Sequence, residues 1–324
     1  MAIDYQITNA AHKYGLDSMA VTPALGATQD AIMGSTLGTI NSWGTGPILV
    51  GQSGVATTTF SGGFTEKVSL VYTDTVNGVI TRVDISATPT GEALIAASGS
   101  LSFTAATAGT ALQIQNIFSG NDHISGNAYN NILRGYGAND RIEGGGGTDT
   151  VVLSGLSSQY QITRTGTAIT TSGPDGVDAL VNISRLQFDD KNIAYDLTGN
   201  AGMAYRVYQA AFNRAPDSAG LGYWIKSMDG GMALTDVASG FMNSSEFQVM
   251  YGTHPTSLSM VGKFYQNVLH RAPDQAGLDY WVSVLDTHAA TGAFVLASFG
   301  ESPENQAQVV GSIQNGISYM PFGG

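Results

Sequence analysis

The 324-residue chain contains no cysteine. A protein without cysteine has no disulfide, and it offers no thiolate to catalysis or to zinc. Charged residues are also scarce, at 12% of the chain, and 25 Asp and Glu outnumber 13 Lys and Arg. The formal net charge of -12 argues against nucleic acids and anionic membrane surfaces as partners. Because the chain has no thiolate ligand, any bound metal must be a hard cation that takes oxygen ligands.

Long apolar runs are lacking too. Crossing a bilayer takes about 18 or more consecutive apolar residues, and no such run occurs, so we expect no membrane insertion. The N-terminus carries Asp4, Lys13 and Asp17 and lacks the basic start and apolar core of a secretory signal peptide. We expect a protein that is either cytoplasmic or exported by a route that reads another part of the chain.

Glycine is abundant, with 42 residues, which favours turn-rich β structure. Apolar and polar residues alternate on both sides of Asn77-Gly78, a pattern that predicts two strands joined by a type I′ hairpin turn. We predict a mostly β domain over residues 1–116. Within it, residues 18–65 carry one formal charge, Asp30. So little charge is typical of buried β structure or of a surface that contacts another subunit.

Four consecutive nonapeptides run from Ile117 to Val152. Glycine is concentrated in their first four positions. The sixth positions hold Asp122, Asn131, Asp140 and Asp149, and the eighth hold Ile124, Leu133, Ile142 and Val151. Each unit predicts a glycine-rich turn followed by a very short strand with one inward aliphatic side chain. Stacked units of this kind predict a short parallel β-roll over residues 117–152.

The turns of a roll alternate between two edges, which predicts that Asp122 faces Asp140 and that Asn131 faces Asp149. Two facing carboxylates repel each other unless a cation lies between them. Calcium takes about six to eight oxygen ligands, and glycine-rich turns can supply backbone carbonyls. We therefore predict metal ligands at these four positions, with the second pair weaker because Asn131 has no charge. The alternative is ordinary turn chemistry, in which Asp and Asn bond to their own backbone.

A second repeat lies near the C-terminus, at an offset of 57 residues (271 − 214). Its signature is Arg-Ala-Pro-Asp followed by Tyr-Trp, at Arg214–Asp217 with Tyr223-Trp224 and at Arg271–Asp274 with Tyr280-Trp281. Apolar residues at helical spacing follow each proline, and each aspartate is placed to cap a helix. We predict a β cap over residues 153–198 and an all-α tandem repeat over residues 199–324. The fold class is α+β multidomain, with a mainly-β N-terminal domain.

The nonapeptides resemble the RTX family of calcium-binding proteins, whose unit is G-G-x-G-x-D-x-U-x. The last unit, 144–152, fits best, whereas the second has Asn131 for aspartate and Tyr129 for glycine. The resemblance implies Ca²⁺ as cofactor and export by type I secretion machinery through an uncleaved C-terminal signal. The helical pair is similar to an uncharacterised, phycobilisome-linker-like domain found in secreted bacterial and surface-layer-like proteins.

Motifs of common enzymes are absent from the sequence: G-x-S-x-G, H-E-x-x-H and the P-loop do not occur, and the five histidines have no metal spacing. We therefore predict no enzymatic activity. The predicted function is a secreted, calcium-stabilised structural protein of the bacterial cell surface or extracellular matrix that assembles with itself into a layer or filament. The alternatives are a calcium-dependent adhesin or carbohydrate-binding module, and a secreted hydrolase with its active site in residues 1–116.

Overall fold

A computed structural model of the chain describes residues 3–7, 53–59, 65–72, 79–88, 93–102 and 120–323, the first five segments as backbone strands. The chain divides into two compact units between Asp190 and Lys191. This division precedes the boundary at residue 198 that the sequence predicts between the β cap and the helices.

Five strands lie in the N-terminal part of the first unit: β1 (Ile3–Ile7), β2 (Ser53–Thr59), β3 (Thr65–Tyr72), β4 (Val79–Thr88) and β5 (Ala93–Ser102). They pair antiparallel in the order β2-β3-β4-β5-β1. The two strands predicted on either side of Asn77-Gly78 are confirmed as β3 and β4. The hairpin turn itself, and the alternation predicted beyond Ser102, lie outside the described residues.

The four nonapeptides each contribute one short strand around the eighth position: β6 (His123–Ser125), β7 (Ile132–Leu133), β8 (Arg141–Glu143) and β9 (Thr150–Val152). β6 pairs parallel with β8, and β7 pairs parallel with β9. Alternate units therefore stack in two separate rows. The aliphatic side chains at the eighth positions are 1% exposed or less. β1 extends the first row by pairing parallel with β6.

The segment that follows contains a hairpin and two further parallel strands. Strands β10 (Gln161–Thr165) and β11 (Ala168–Gly173) pair antiparallel. β12 (Gly176–Val181) then pairs antiparallel with β11 and parallel with β8, and β13 (Arg185–Gln187) pairs parallel with β9. Within the predicted β cap, the apolar residues Tyr160 and Ile162, and then Leu186 and Phe188, predict short strands close to β10 and β13. The sequence does not predict β11 and β12, because Thr171 and Asp178 interrupt their apolar pattern although both are buried.

The second unit is helical. It begins with β14 (Asn192–Ala194), which pairs antiparallel with β15 (Ile317–Tyr319). Between these strands lie eight α-helices: α1 (Asn200–Phe212), α2 (Ser218–Asp229), α3 (Leu234–Met242), α4 (Ser245–Tyr251), α5 (Ser257–Asn267), α6 (Gln275–Asp286), α7 (Gly292–Gly300) and α8 (Pro303–Ile313). Helices α1–α4 and α5–α8 correspond to the two copies of the sequence repeat. None of the helices in the described part of the chain is long and apolar enough to cross a membrane.

The predicted helix caps are present. Asp217 accepts a hydrogen bond from the Gly220 N–H at the start of α2, and Asp274 does the same from Gly277 at the start of α6. An oxygen acceptor at this position satisfies a backbone donor that has no partner within its helix.

Helix α4 begins with both a local cap and an ion pair to a distant segment. Ser244 caps the helix by accepting from the Phe247 N–H. Glu246, in the first turn of the helix, forms two hydrogen bonds with the guanidinium of Arg214, at 2.8 and 3.0 Å. The ion pair therefore joins helix α4 to the loop after α1, in addition to the local cap.

The two tryptophans of the repeat pack against the apolar core of the helical unit. Trp224 and Trp281 are partly buried. The Trp224 ring lies 4.9 Å from the Phe241 ring, and the Trp281 ring lies 5.7 Å from that of Phe299. Their helical spacing predicts this packing role.

Candidate metal centre

Asp122 and Asp140 lie in stacked turns that precede β6 and β8, here named the first edge. The N–H of Asp122 donates a hydrogen bond to Oδ1 of Asp140 at 2.8 Å. The N–H of Arg141 donates in return to the carbonyl of Asp122 at 2.8 Å. Both carboxylates are 3% exposed. The structure thus brings together the two residues of the first predicted pair.

Asn131 and Asp149 lie in the turns before β7 and β9, the second edge. The N–H of Asn131 donates to Oδ1 of Asp149 at 2.8 Å, and Asp149 is fully buried. The side-chain oxygen of Asn131 accepts from the N–H of Asn127 at 2.8 Å. Asn131 therefore also forms a hydrogen bond within its own turn, which is the alternative to metal binding named in the sequence analysis. Asp149 is the only carboxylate of the second predicted pair.

Glycines let the turns approach these carboxylates closely. A side chain at Gly135 would collide with Oδ2 of Asp140, and one at Gly144 would collide with Oδ2 of Asp149. Gly145 has a φ of 91°, a left-handed conformation that favours glycine. The concentration of glycine in the first four positions therefore has a steric cause.

Burial makes the negative charge of these side chains costly. Burial and the nearby carboxylates of Asp178, Asp122 and Asp175 raise the pKa of Asp140 to about 7, although the hydrogen bond from the Asp122 N–H opposes the rise. Burial likewise raises the pKa of Asp149 to about 7. Desolvation and like charges both disfavour the ionised form. A cation bound beside them would remove this cost.

Two buried carboxylate oxygens are left for such a cation. Within the described residues, Oδ2 of Asp140 and Oδ2 of Asp149 accept no hydrogen bond. Buried polar atoms nearly always have partners, and calcium binds carboxylate oxygens. The described part of the chain contains no group of three or more His, Asp or Glu side chains that could hold a metal ion. The donor set therefore fits calcium only if backbone carbonyls of the turns complete it.

Two further buried acids on the first edge are missing from the predicted site. Asp178 is 2% exposed, and its Oδ1 accepts from the Asp140 N–H at 3.0 Å. Asp175 is 6% exposed, and its Oδ2 accepts from the Ser154 N–H at 2.7 Å. The sequence signal for Asp178 is its distance of five residues from Gly173 and two from Leu180, the spacing of the nonapeptides.

Two protein families match parts of the chain. The RTX calcium-binding nonapeptide repeat, in four copies, matches residues 117–151. RTX nonapeptide repeats bind Ca²⁺. The predicted cofactor is therefore confirmed. A domain of unknown function, DUF4214, matches residues 194–251 and 238–309, which overlap and together span the helical repeat. No curated protein matches the chain.

The nonapeptide match indicates a secreted calcium-binding protein. RTX repeat proteins are typically secreted. The match of the helical pair to DUF4214 assigns no function to it, and the absence of enzymatic activity stays a prediction. The likeness of the helical pair to a phycobilisome-linker domain has no support in these matches and stays a prediction.

Proposed function

We propose that residues 117–152 form a calcium β-roll in which one Ca²⁺ ion lies on each edge. Asp122 and Asp140 would hold the first ion, and Asn131 and Asp149 the second. The observation that carries this proposal is the pair of buried Oδ2 atoms, on Asp140 and Asp149, that accept no hydrogen bond within the described residues. The hairpin of β10 and β11, together with β12 and β13, would cap the end of the roll.

Calcium would neutralise the buried carboxylates, and its binding free energy would then add to the free energy of folding. The chain's own residues supply the rest of the arrangement. Oδ1 of Asp140 and Oδ1 of Asp149 each accept a hydrogen bond from a backbone N–H of the neighbouring turn, while Gly135 and Gly144 leave room for the two Oδ2 atoms. One oxygen is thus structural, and the other is available to the ion.

We further propose that the protein is a structural component of the bacterial cell surface or extracellular matrix and assembles with itself into a layer or filament. The support comes from strand β2. Among the described strands, β2 stands at the end of the sheet order, beside β3. Its sequence, SGVATTT, has no charge and no proline. Edge strands of soluble proteins usually carry charged residues or proline, which keep their open backbone groups from pairing with strands of other chains.

A second copy would add a strand to β2 by β-augmentation, which joins main chains through backbone hydrogen bonds. Asp30 is the only charged residue among residues 18–65, so little charge opposes the close approach of a second copy. A head-to-tail contact between different surfaces produces an open filament when its rotation does not close into a ring, whereas a self-complementary contact produces a closed dimer.

Electron microscopy of the purified full-length protein, with millimolar calcium and with chelator, tests this function. We expect filaments or sheets with calcium, and their loss in a Thr57→Lys, Thr58→Lys variant, which adds two positive charges to β2. The matched control is Gln275→Lys, Ser283→Lys, which adds the same charge at exposed helical positions. Full-length protein that stays monomeric at high concentration in millimolar calcium contradicts the proposal.

The second candidate function is a calcium-dependent adhesin or carbohydrate-binding module. The observation that favours it is Tyr280, whose side chain is 61% exposed next to the partly buried Trp281. An exposed aromatic ring can stack on a sugar. A monomeric protein that binds glycans, and loses the binding in Tyr280→Ala, would make this candidate the preferred one.

A further inference from the structure

Residues 173–181 have the spacing of a fifth nonapeptide. Gly173 occupies the first position, Gly176 the fourth, Asp178 the sixth and Leu180 the eighth. The segment lies beyond the repeat match, which ends at residue 151. Residues 153–172, which include β10 and most of β11, separate it from the fourth unit.

Strand β12 continues the first row of strands in register. β8 pairs with β6 through the seventh, eighth and ninth positions of each unit, and β12 pairs with β8 through the same three positions. Ile142 therefore stands opposite Ile124 on one side and Leu180 on the other. Leu180 is fully buried, like the aliphatic residues of the four contiguous units.

The hydrogen bonds between the turns repeat as well. The Asp140 N–H donates to Oδ1 of Asp178 at 3.0 Å, as the Asp122 N–H donates to Asp140 at 2.8 Å. One position earlier, the Val177 N–H donates to Oδ1 of Asn139 at 2.8 Å. The sequence offset is 38 residues where the regular offset is 18. The difference of 20 residues equals the length of the segment 153–172. This segment is therefore an insertion between the fourth and fifth units, and the fifth unit still stacks on the third.

Gly176 brings the fifth turn directly onto the third. Its φ is 119°, and a side chain there would collide with the carbonyl oxygen of Ala138. Both residues occupy the fourth position of their units. On the second edge, Gly147 approaches the backbone at Tyr129 in the same way, again fourth position to fourth position.

The first edge holds more buried negative charge than one calcium ion balances. Asp122, Asp140, Asp175 and Asp178 are all 6% exposed or less. An ion between the first two would leave the other two carboxylates without a cation. Oδ2 of Asp178 accepts from the Thr171 hydroxyl at 3.2 Å, and a carboxylate oxygen has a second lone pair for a metal.

We propose a second calcium site on the first edge, between the turn of residues 135–140 and that of residues 173–178, with Asp140 and Asp178 as its side-chain ligands. Asp140 would be shared with the site already proposed. Its Oδ2 is buried in the turn and accepts no hydrogen bond from the described residues. This site rests on the proposed function, because it adds one more turn and strand to the same stack of nonapeptides.

Native mass spectrometry of the folded full-length protein in calcium tests the site by counting bound ions. Asp178→Ala removes both side-chain oxygens, whereas an asparagine there would keep one oxygen for the ion, as Asn131 does on the second edge. We expect Asp178→Ala to bind one ion fewer than the unmodified protein, and we expect the exposed control Asp279→Ala to bind the same number. An unchanged count in Asp178→Ala, with a reduced count in Asp122→Ala, overturns this site and leaves the proposed function standing. No calcium on the unmodified protein refutes both.

A second pair of variants covers the case in which Asp178→Ala does not fold. Asp122→Ala combined with Asp149→Ala removes one side-chain ligand from each site of the proposed function and keeps both ligands of the new site. Adding Asp140→Ala to that pair should remove one more ion. Equal counts in the double and triple variants overturn the proposal.

Discussion

At the scale of single residues, Asp140 links the most features of the stack. Its Oδ1 receives the Asp122 N–H, its own N–H reaches Asp178, and its Oδ2 is buried without a described hydrogen bond. Asn131 also occupies the sixth position of its unit, on the second edge, but its amide oxygen accepts a hydrogen bond from the Asn127 N–H. Residues at the same position of the repeat therefore differ in the charge that they offer a cation.

This difference predicts opposite effects of two substitutions. Asp140→Asn removes a ligand charge and should raise the calcium concentration at half-folding by about tenfold, a change of roughly 1.4 kcal/mol. Asn131→Asp adds a carboxylate beside Asp149, so it should lower the calcium requirement and destabilise the protein in chelator. Calcium titrations followed by circular dichroism measure both. The same direction of change in both variants would show that charge at the sixth position does not set the calcium requirement.

At the scale of elements, the two compact units are stabilised in different ways. The stacked turns of residues 120–190 contain buried carboxylates whose charge calcium would compensate. The helices α1–α8 bury an extensive apolar core. They also carry the ion pair of the buried Arg206 with the partly exposed Glu301 at 2.6 Å and the matched surface pairs Arg214–Glu246 and Arg271–Glu304. We therefore expect the helical unit to keep its stability without a metal.

Calcium removal should therefore affect the two units unequally. Hydrogen exchange with mass spectrometry, with and without chelator, should show faster exchange at strands β6–β9 and β12 in chelator. Exchange in α1–α8 should change little. Asp140→Asn in calcium serves as an internal comparison, since it should reproduce part of the chelator effect. A uniform rise in exchange over both units would mean that calcium stabilises the whole chain rather than the stack.

At the scale of the whole molecule, export is the property that the folded structure constrains. The proposed C-terminal signal coincides with a folded segment, since α8 runs to Ile313 and β15 pairs with β14. A signal inside a folded domain is accessible only before that domain folds. Because we expect the helical unit to fold without calcium, export would have to precede the folding of that unit, and low calcium inside the cell would delay only the folding of the roll.

Truncation before Gln306 should therefore leave the protein inside cells that express a type I secretion apparatus. Because this truncation also removes Val309 and Ile313 from the core, a full-length Leu221→Asp variant is the matched control. It disrupts the same core and keeps the C-terminus, so it should still be exported. Immunoblots of cells and medium separate the outcomes. Normal export of the truncated chain, or retention of Leu221→Asp, contradicts a C-terminal signal.

The periodic features of this protein were predictable from the sequence because each depends on neighbouring residues. The nine-residue spacing of glycine, aspartate and an aliphatic residue describes one turn and one strand, and the structure places β6–β9 at the eighth positions. The 57-residue repeat and the caps at Asp217 and Asp274 are equally local, since a cap and its helix lie within a few residues of each other. These signals determined the two rows of short strands and the helical tandem repeat.

Only the tertiary structure decided which distant residues complete these elements. Asp178 accepts a hydrogen bond from the backbone N–H of Asp140, 38 residues away, and so joins the first edge. Without that hydrogen bond, a carboxylate in a strand would be expected to face solvent. Glu246 turns from its own helix to Arg214, 32 residues away. Hydrogen bonds and ion pairs between distant segments depend on how strands stack and helices pack. The spacing within residues 173–181 marks a further nonapeptide, but it does not show on which turn that nonapeptide stacks.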